Sequence, residues 1–246
     1  MDLRGGGAMA QLLPRTVACC ELRGDLPDSV LHPSEAEVIA GAVERRRREF
    51  ATVRGCARWA LAALGHPPVP LLPGPAGAPR WPAGTTGSMT HCDGYRAAAV
   101  ARARETASIG IDAEPAHPLP PDVVDMVVLP AEQAALAALR HVDPATPWDR
   151  LLFSCKEAVY KAWYPLTRSW LGFDQVAVIV DPQARRFTAR LLGPAIRLGD
   201  RRLTVLRGRY AVARSLVLAA VTVPAPGVGT AARLSPGAPS TGGPAC

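Results

Sequence analysis

Two stretches decide how this chain folds: Phe153-Ser154-Cys155-Lys156-Glu157-Ala158-Val159-Tyr160-Lys161-Ala162-Trp163 and, upstream, Gly110-Ile111-Asp112-Ala113-Glu114. In the first, Glu157 and Lys161 stand four residues apart and share one side of a helix. Phe153, Val159, Tyr160 and Trp163 supply its apolar packing, and the spacing predicts a helix over 148–162. The second alternates. In a strand over 107–114, Ile109, Ile111 and Ala113 fall on one face, and Gly110, Asp112 and Glu114 on the other. Strand and helix mingle along the rest of the chain without regular alternation, which points to an α+β fold.

Outward from these stretches the elements are read as follows. Residues 33–63 predict a helix with Ser34 as its cap. Over 43–64, Phe50, Val53, Ala57, Ala60, Leu61 and Leu64 recur at three- and four-residue steps, the pattern of an amphipathic helix. Residues 66–87 are a Pro/Gly-rich loop, and the segment 88–102 begins with a polar turn. Strands are expected over 95–101, 175–180, 186–192 and 216–223, with weaker ones at 203–206 and 210–213. A helix is expected over 130–141. Residues 1–14 read as a flexible leader, and 224–246 as a disordered Pro/Gly-rich tail.

The chain has 246 residues, 48% of them hydrophobic and 20% charged, enough apolar material for a core and too much for a wholly disordered chain. The net charge of +7 favours anionic partners without choosing among them. Lys156 and Lys161 are the only lysines; every other basic residue counted in that charge is arginine. Because an ammonium is a compact point charge and a guanidinium a planar fork, two lysines in one segment point to a site that needs an ammonium. The six cysteines contain no CxxC pair, which favours a reducing cytoplasm over a disulfide framework. The N-terminus lacks the apolar run of a signal peptide. The longest apolar stretch, over 216–223, is too short to span a bilayer.

Four constellations bear chemistry. Asp112 and Glu114 project to one side of a strand, and their mutual repulsion invites a cation; hard oxygen ligands suit Mg²⁺. A solvated acidic turn is the bland alternative. Glu157 and Lys161 form either an ordinary surface pair or part of a site. Ser88, Thr90 and His91 are donors suited to phosphate oxygens. The run Arg45-Arg46-Arg47-Arg48, with Arg54, is either a solvated cationic face or a clamp for several phosphates.

Taken in order, RRREFATVRGCARWAL, GSMTHCDGY, GIDAE and FSCKEAVYKAW resemble the 4′-phosphopantetheinyl transferase superfamily, in its larger, monomeric EntD/Sfp-like branch, over about residues 15–223. The resemblance implies a pseudo-dimer of two similar α+β halves, one over 15–105 carrying coenzyme A-binding arginines and one over 106–223 carrying the metal site. It implies Mg²⁺-dependent transfer of 4′-phosphopantetheine from coenzyme A to a serine of an apo acyl or peptidyl carrier protein, releasing adenosine 3′,5′-bisphosphate. Asp112, Glu114 and Glu157 would hold Mg²⁺, with Mn²⁺ also suited. Asp112, Glu157 and Lys161 would be catalytic, with Glu157 accepting the serine proton and Lys161 neutralising phosphate charge. Arg46 or Arg47, Arg54, Ser88, Thr90, His91, Lys156 and Lys161 would contact coenzyme A. The carriers would be domains of polyketide, peptide or fatty-acid synthases, in secondary metabolite biosynthesis; neither nucleic acid nor membrane is an expected partner. Relatives often place a basic residue where this chain has Pro75 and Ala76, with Arg80 nearby. Two other readings remain open from the residues themselves: a basic nucleic-acid-binding protein and a Mg²⁺-dependent phosphohydrolase.

Overall fold

The structure, a computed structural model, describes residues 7–27, 31–213 and 215–227. The first half contains strand β1 (Ala18–Arg23), helices α1 (Pro33–Val38) and α2 (Glu44–Ala63), and strands β2 (Thr85–Cys92) and β3 (Tyr95–Arg102). The second contains β4 (Thr106–Pro115), α3 (Pro121–Val127), α4 (Pro130–Val142), α5 (Trp148–Thr167), β5 (Val176–Asp181), β6 (Arg186–Leu191), the hairpin β7 (Ile196–Leu198) and β8 (Arg201–Leu203), β9 (Val205–Ala213) and β10 (Leu216–Pro224). The sheets run β1-β3-β2 and β4-β10-β9-β6-β5, with every pairing antiparallel. Each half lays one long helix on a sheet, giving the α+β pseudo-dimer.

β3 explains the layering. Its alanine-rich run is buried on both faces. Ala98 and Val100 pack with Cys56, Ala57, Ala60 and Leu61 of α2. Ala97, Ala99 and Ala101 pack with Ile109, Ile111 and Ala113 of β4, across the junction of the halves. Small side chains let these layers approach closely. The β2–β3 connection is the two-residue turn Asp93-Gly94, where Gly94 takes φ 67°, as a tight hairpin requires.

α5 is held by its apolar stripe: Leu151, Leu152, Cys155, Ala158, Val159 and Ala162 are all buried against the second sheet. Burying such side chains stabilises by about 1.5–3 kcal/mol each for the larger ones. Where α5 crosses β4 there is no room for a side chain. A Cβ on Gly110 would collide with the carbonyl oxygen of Ala158. Two residues away, Ser108 Oγ donates to Ala162 O at 2.7 Å. The bare residue and the hydroxyl together fix α5 along the strand that carries Asp112.

Several expectations are corrected. The helix expected over 33–63 is two helices, broken between Val38 and Glu44. Its N-cap is His32, not Ser34: His32 Nδ1 accepts from Ser34 N, and Pro33 fills the first helical position, where no N–H is needed. Residues 88–91 lie within β2 rather than in a polar turn, because β3 pairs with them. The weak strands at 203–206 and 210–213 are β8 followed by one continuous strand, β9. The expected flexible leader is packed from Gly7 onward. Met9 is fully buried, and Glu21 accepts from Met9 N at 3.1 Å and Ala10 N at 3.4 Å. Residues 1–6 of that leader, and 228–246 of the expected tail, lie outside the described residues.

Candidate active site

A cleft of about 1030 Å³ opens between the halves, with α2 and β2 on one side and α5 on the other. Arg46, Arg54 and Arg80 make its first wall cationic, and His91 stands among them. Its second wall carries Glu157, Tyr160 and Lys161 from successive turns of α5.

Arg46 reaches His91 at 2.7 Å. Glu49 gathers this corner, 3.6 Å from His91 Nε2, 3.9 Å from Arg46 and 3.6 Å from Arg96. Burial first, and then the charge of Arg46, hold the His91 imidazolium below its ordinary pKa; the ring favours the neutral form, which accepts from Arg46. Arg54 is buried, donates through Nε to Leu71 O at 2.8 Å, and lies over the Phe50 ring at 3.1 Å. Burial, only partly offset by Glu35, lowers its pKa to about 10. Glu35, itself fully buried, anchors the neighbourhood by accepting from Arg58 at 2.8 Å on both oxygens and from Leu71 N at 2.7 Å.

Opposite, Lys161 Nζ donates to Asp112 Oδ1 at 2.7 Å and to Ile111 O at 3.2 Å. Asp112 is buried, and its Oδ2 has no partner. Glu114 accepts from Arg150 at 3.0 Å. Burial, followed by the charge of Asp112, raises the carboxyl pKa of both Glu114 and Glu157. Asp112 is thus within electrostatic reach of both glutamates. The three acids expected to hold one ion do not stand as a preformed ligand cluster, however. Among the described residues no group of three or more His, Cys, Asp or Glu stands close enough to hold a metal. The physical reason is visible: Asp112 is drawn to Lys161 and Glu114 to Arg150.

Other expected contacts separate into those that reach the cleft and those that do not. Arg46 lines it and Arg47 does not. Ser88 lines it, but its Oγ accepts from Ile111 N at 3.1 Å; Thr90 Oγ1 accepts from Ala113 N at 3.1 Å and donates to Asp112 at 3.4 Å. These hydroxyls join β2 to β4. Lys156 is the clear correction. It is 2% exposed, and its Nζ donates to Val127 O at 2.8 Å, Glu132 Oε2 at 2.9 Å and Phe173 O at 3.1 Å, away from the cleft. A fully engaged, buried ammonium has no donor left for a coenzyme.

Sequence reasoning passed over Glu49, Arg150 and Tyr160 as functional residues. Glu49 carried a signal, being the acid that ends an arginine run. Tyr160, 5.1 Å from the Trp170 ring, was read as packing. Arg150 carried none, because its partner Glu114 is remote in sequence. Arg80, close to Pro75 and Ala76 in sequence, reaches the cleft through the short turn closed by the Pro73–Pro79 bridge.

The chain matches two family descriptions: "4'-phosphopantetheinyl transferase N-terminal domain" over residues 34–101 and "4'-phosphopantetheinyl transferase superfamily" over 108–214. It is 54% identical over 233 residues to 4′-phosphopantetheinyl transferase Svp of Streptomyces mobaraensis, covering 94% of each chain. It is 47% identical to 4′-phosphopantetheinyl transferase PptT of Mycobacterium tuberculosis, over 89% of this chain and 99% of that one. It is 46% identical to 4′-phosphopantetheinyl transferase Npt of Nocardia iowensis, over 85% of this chain and 97% of that one.

Proposed function

The chain belongs to the 4′-phosphopantetheinyl transferase superfamily, and from that premise we propose how its cleft moves phosphopantetheine from coenzyme A to a carrier-protein serine. One observation carries the reading. A cationic wall of Arg46, Arg54 and Arg80, with His91 among them, faces Glu157 and Lys161 across one cleft, so a polyanionic donor and a proton acceptor are served side by side. Phosphoryl transfer to an alcohol needs positioning and charge neutralisation more than covalent help.

Arg46, Arg54 and His91 bind the phosphates of coenzyme A, with Arg80 in the role relatives give to a basic residue near Pro75. Lys161, already oriented by Asp112, neutralises charge on the transferring phosphoryl group. Glu157, its carboxyl pKa raised by burial and by Asp112, takes the serine proton. Tyr160 offers an apolar wall for the pantetheine arm. The donor set at Asp112, Glu114 and Glu157 is all hard oxygen, and the unpartnered, buried Asp112 Oδ2 fits a cation. These three residues would hold Mg²⁺ or Mn²⁺, which when bound supplies charge neutralisation at the pyrophosphate oxygens.

The carriers are acyl or peptidyl carrier domains of polyketide, peptide or fatty-acid synthases, met by a cytoplasmic monomer. Among the described residues no helix is long and apolar enough to cross a membrane. The test is mass spectrometry of a panel of apo-carriers incubated with coenzyme A and Mg²⁺, using the wild type and Asp112→Ala. Addition of the phosphopantetheine mass by the wild type alone is expected. Release of adenosine bisphosphate without any carrier would instead make this a hydrolase.

A further inference from the structure

The second sheet is covered by α5 on one face. On the other face the first half covers β4, β10 and the Ala211 end of β9. What remains open, over β5, β6 and the rest of β9, is rich in arginine. Register places Arg186 directly opposite Arg209 and Thr188 opposite Arg207, with Arg190 further along β6. All four arginines are exposed. Among the described residues none of their side chains makes a hydrogen bond or ion pair. The acid nearest in register, Asp181 opposite Arg186, turns its Oδ1 to Gln183 N and Ala184 N instead.

Like charges directly opposite one another in an antiparallel pair work against the sheet. An anionic partner would remove that repulsion, and four guanidinium forks match carboxylates two oxygens at a time. Ile179, 71% exposed on the edge strand, adds an apolar spot within the face. No side chain on this face is aromatic, so nothing there stacks on bases as single-stranded nucleic acid requires.

We propose that this arginine face is a second docking surface, taking a carboxylate-rich protein segment that accompanies the carrier but lies outside the domain bearing the target serine. The inference rests on the transfer reading above, because that activity brings a protein, and not nucleic acid or lipid, to the enzyme. Placement sets the geometry. α5 presents Glu157 and Lys161 to the cleft from the opposite face of the same sheet, so one small domain cannot occupy both places. A segment flanking the carrier can, and it would raise the local concentration of the serine at the cleft.

The test compares the wild type with a variant combining Arg186→Ser, Arg190→Ser, Arg207→Ser and Arg209→Ser. Labelled poly-L-glutamate is the binding probe, and a random DNA duplex and phosphatidylserine vesicles are separate arms. The variant is expected to bind polyglutamate about tenfold more weakly, with a shallower salt dependence. Its transfer rate to an excised apo-carrier should stay at the wild-type value. A carrier fused to a glutamate-rich segment should show a lower KM than the bare carrier with the wild type, and no such advantage with the variant. Should the fourfold variant fail to fold, Arg186→Ser with Arg209→Ser removes the opposed pair alone. Equal polyglutamate affinity in both proteins, or a loss confined to the duplex or vesicle arm, overturns the proposal. If the wild type modifies no carrier at all, the transfer reading fails, and the polyglutamate arm still decides the face.

Discussion

Lys156 and Lys161 sit five residues apart on α5, about 140° around its axis, and their surroundings differ accordingly. Lys161 turns into the cleft and joins Asp112. Lys156 turns away, where α3, α4 and the turn at Phe173 close over it. Burial lowers its pKa, while Glu132 works in the opposite direction. Glu132 also accepts from Val178 N at 2.7 Å and Leu129 N at 2.9 Å, so the pair ties α4 and β5 to α5. Two identical side chains in one motif thus divide into a charge for chemistry and a charge for architecture. The angle around the helix decides which is which.

The sharpest way to break this contrast is to remove each lysine in turn. Lys161→Ala, like Asp112→Ala, should lower carrier modification about 10³-fold while leaving cooperative unfolding intact. Stopped-flow or mass-spectrometric transfer assays read the first effect, and urea denaturation the second. Lys156→Ala should do the reverse. By leaving the Glu132 carboxylate buried and unpaired it should cost about 3 kcal/mol of stability, with the KM for coenzyme A unmoved. A variant of Lys156 that stays stable yet binds coenzyme A poorly would erase the distinction.

A smaller effect is expected at Arg150, which braces Glu114 and also donates to His117 O at 3.1 Å and Pro118 O at 3.2 Å. Arg150→Ala should cost about 1.5–3 kcal/mol by urea denaturation, as loss of hydrogen bonds to a charged partner does. It should also move the Glu114 carboxyl further up, since Arg150, more than Lys161, pulls it down; carbon-13 NMR of that carboxyl would follow the shift.

His91 should give the smallest change. Its folded pKa lies below that of the unfolded chain, so the unfolded state binds the proton first. The stability from keeping the ring neutral is fully present above the ordinary value of about 6.5 and is lost as pH falls toward the folded value. Unfolding free energies measured from pH 7.5 downward should therefore decline less steeply in His91→Gln than in the wild type.

The parts of the fold that were legible share one property: their signal is local. Alternation in 109–114 and the four-residue rhythm of 153–163 each specify an element and its buried side from neighbouring residues. Asp112, Glu157 and Lys161 came within reach for the same reason. What was hidden depends on distant partners. Gly41 interrupts 33–63, yet apolar periodicity alone does not show that the chain turns there. Ser88 and Thr90 look like ligand donors until β4 is seen beside them. Lys156 looks like Lys161 until Glu132, remote in sequence, is brought underneath it. Arg46 and Arg47 are equivalent as neighbours in a string of four and distinct only once His91 faces one of them.

The junction between the lobes is stitched partly by alcohol groups. Ser88 and Thr90 stand in for a neighbouring strand, capturing the Ile111 and Ala113 amides that would otherwise have needed a backbone ladder. Two stitches are fewer than the eight register pairs joining β2 to β3, so local opening between the lobes is expected to break there first. Deuterium uptake at those two amides would act as a clock for that breathing, and its slowing on addition of coenzyme A would show the nucleotide clasping the seam shut.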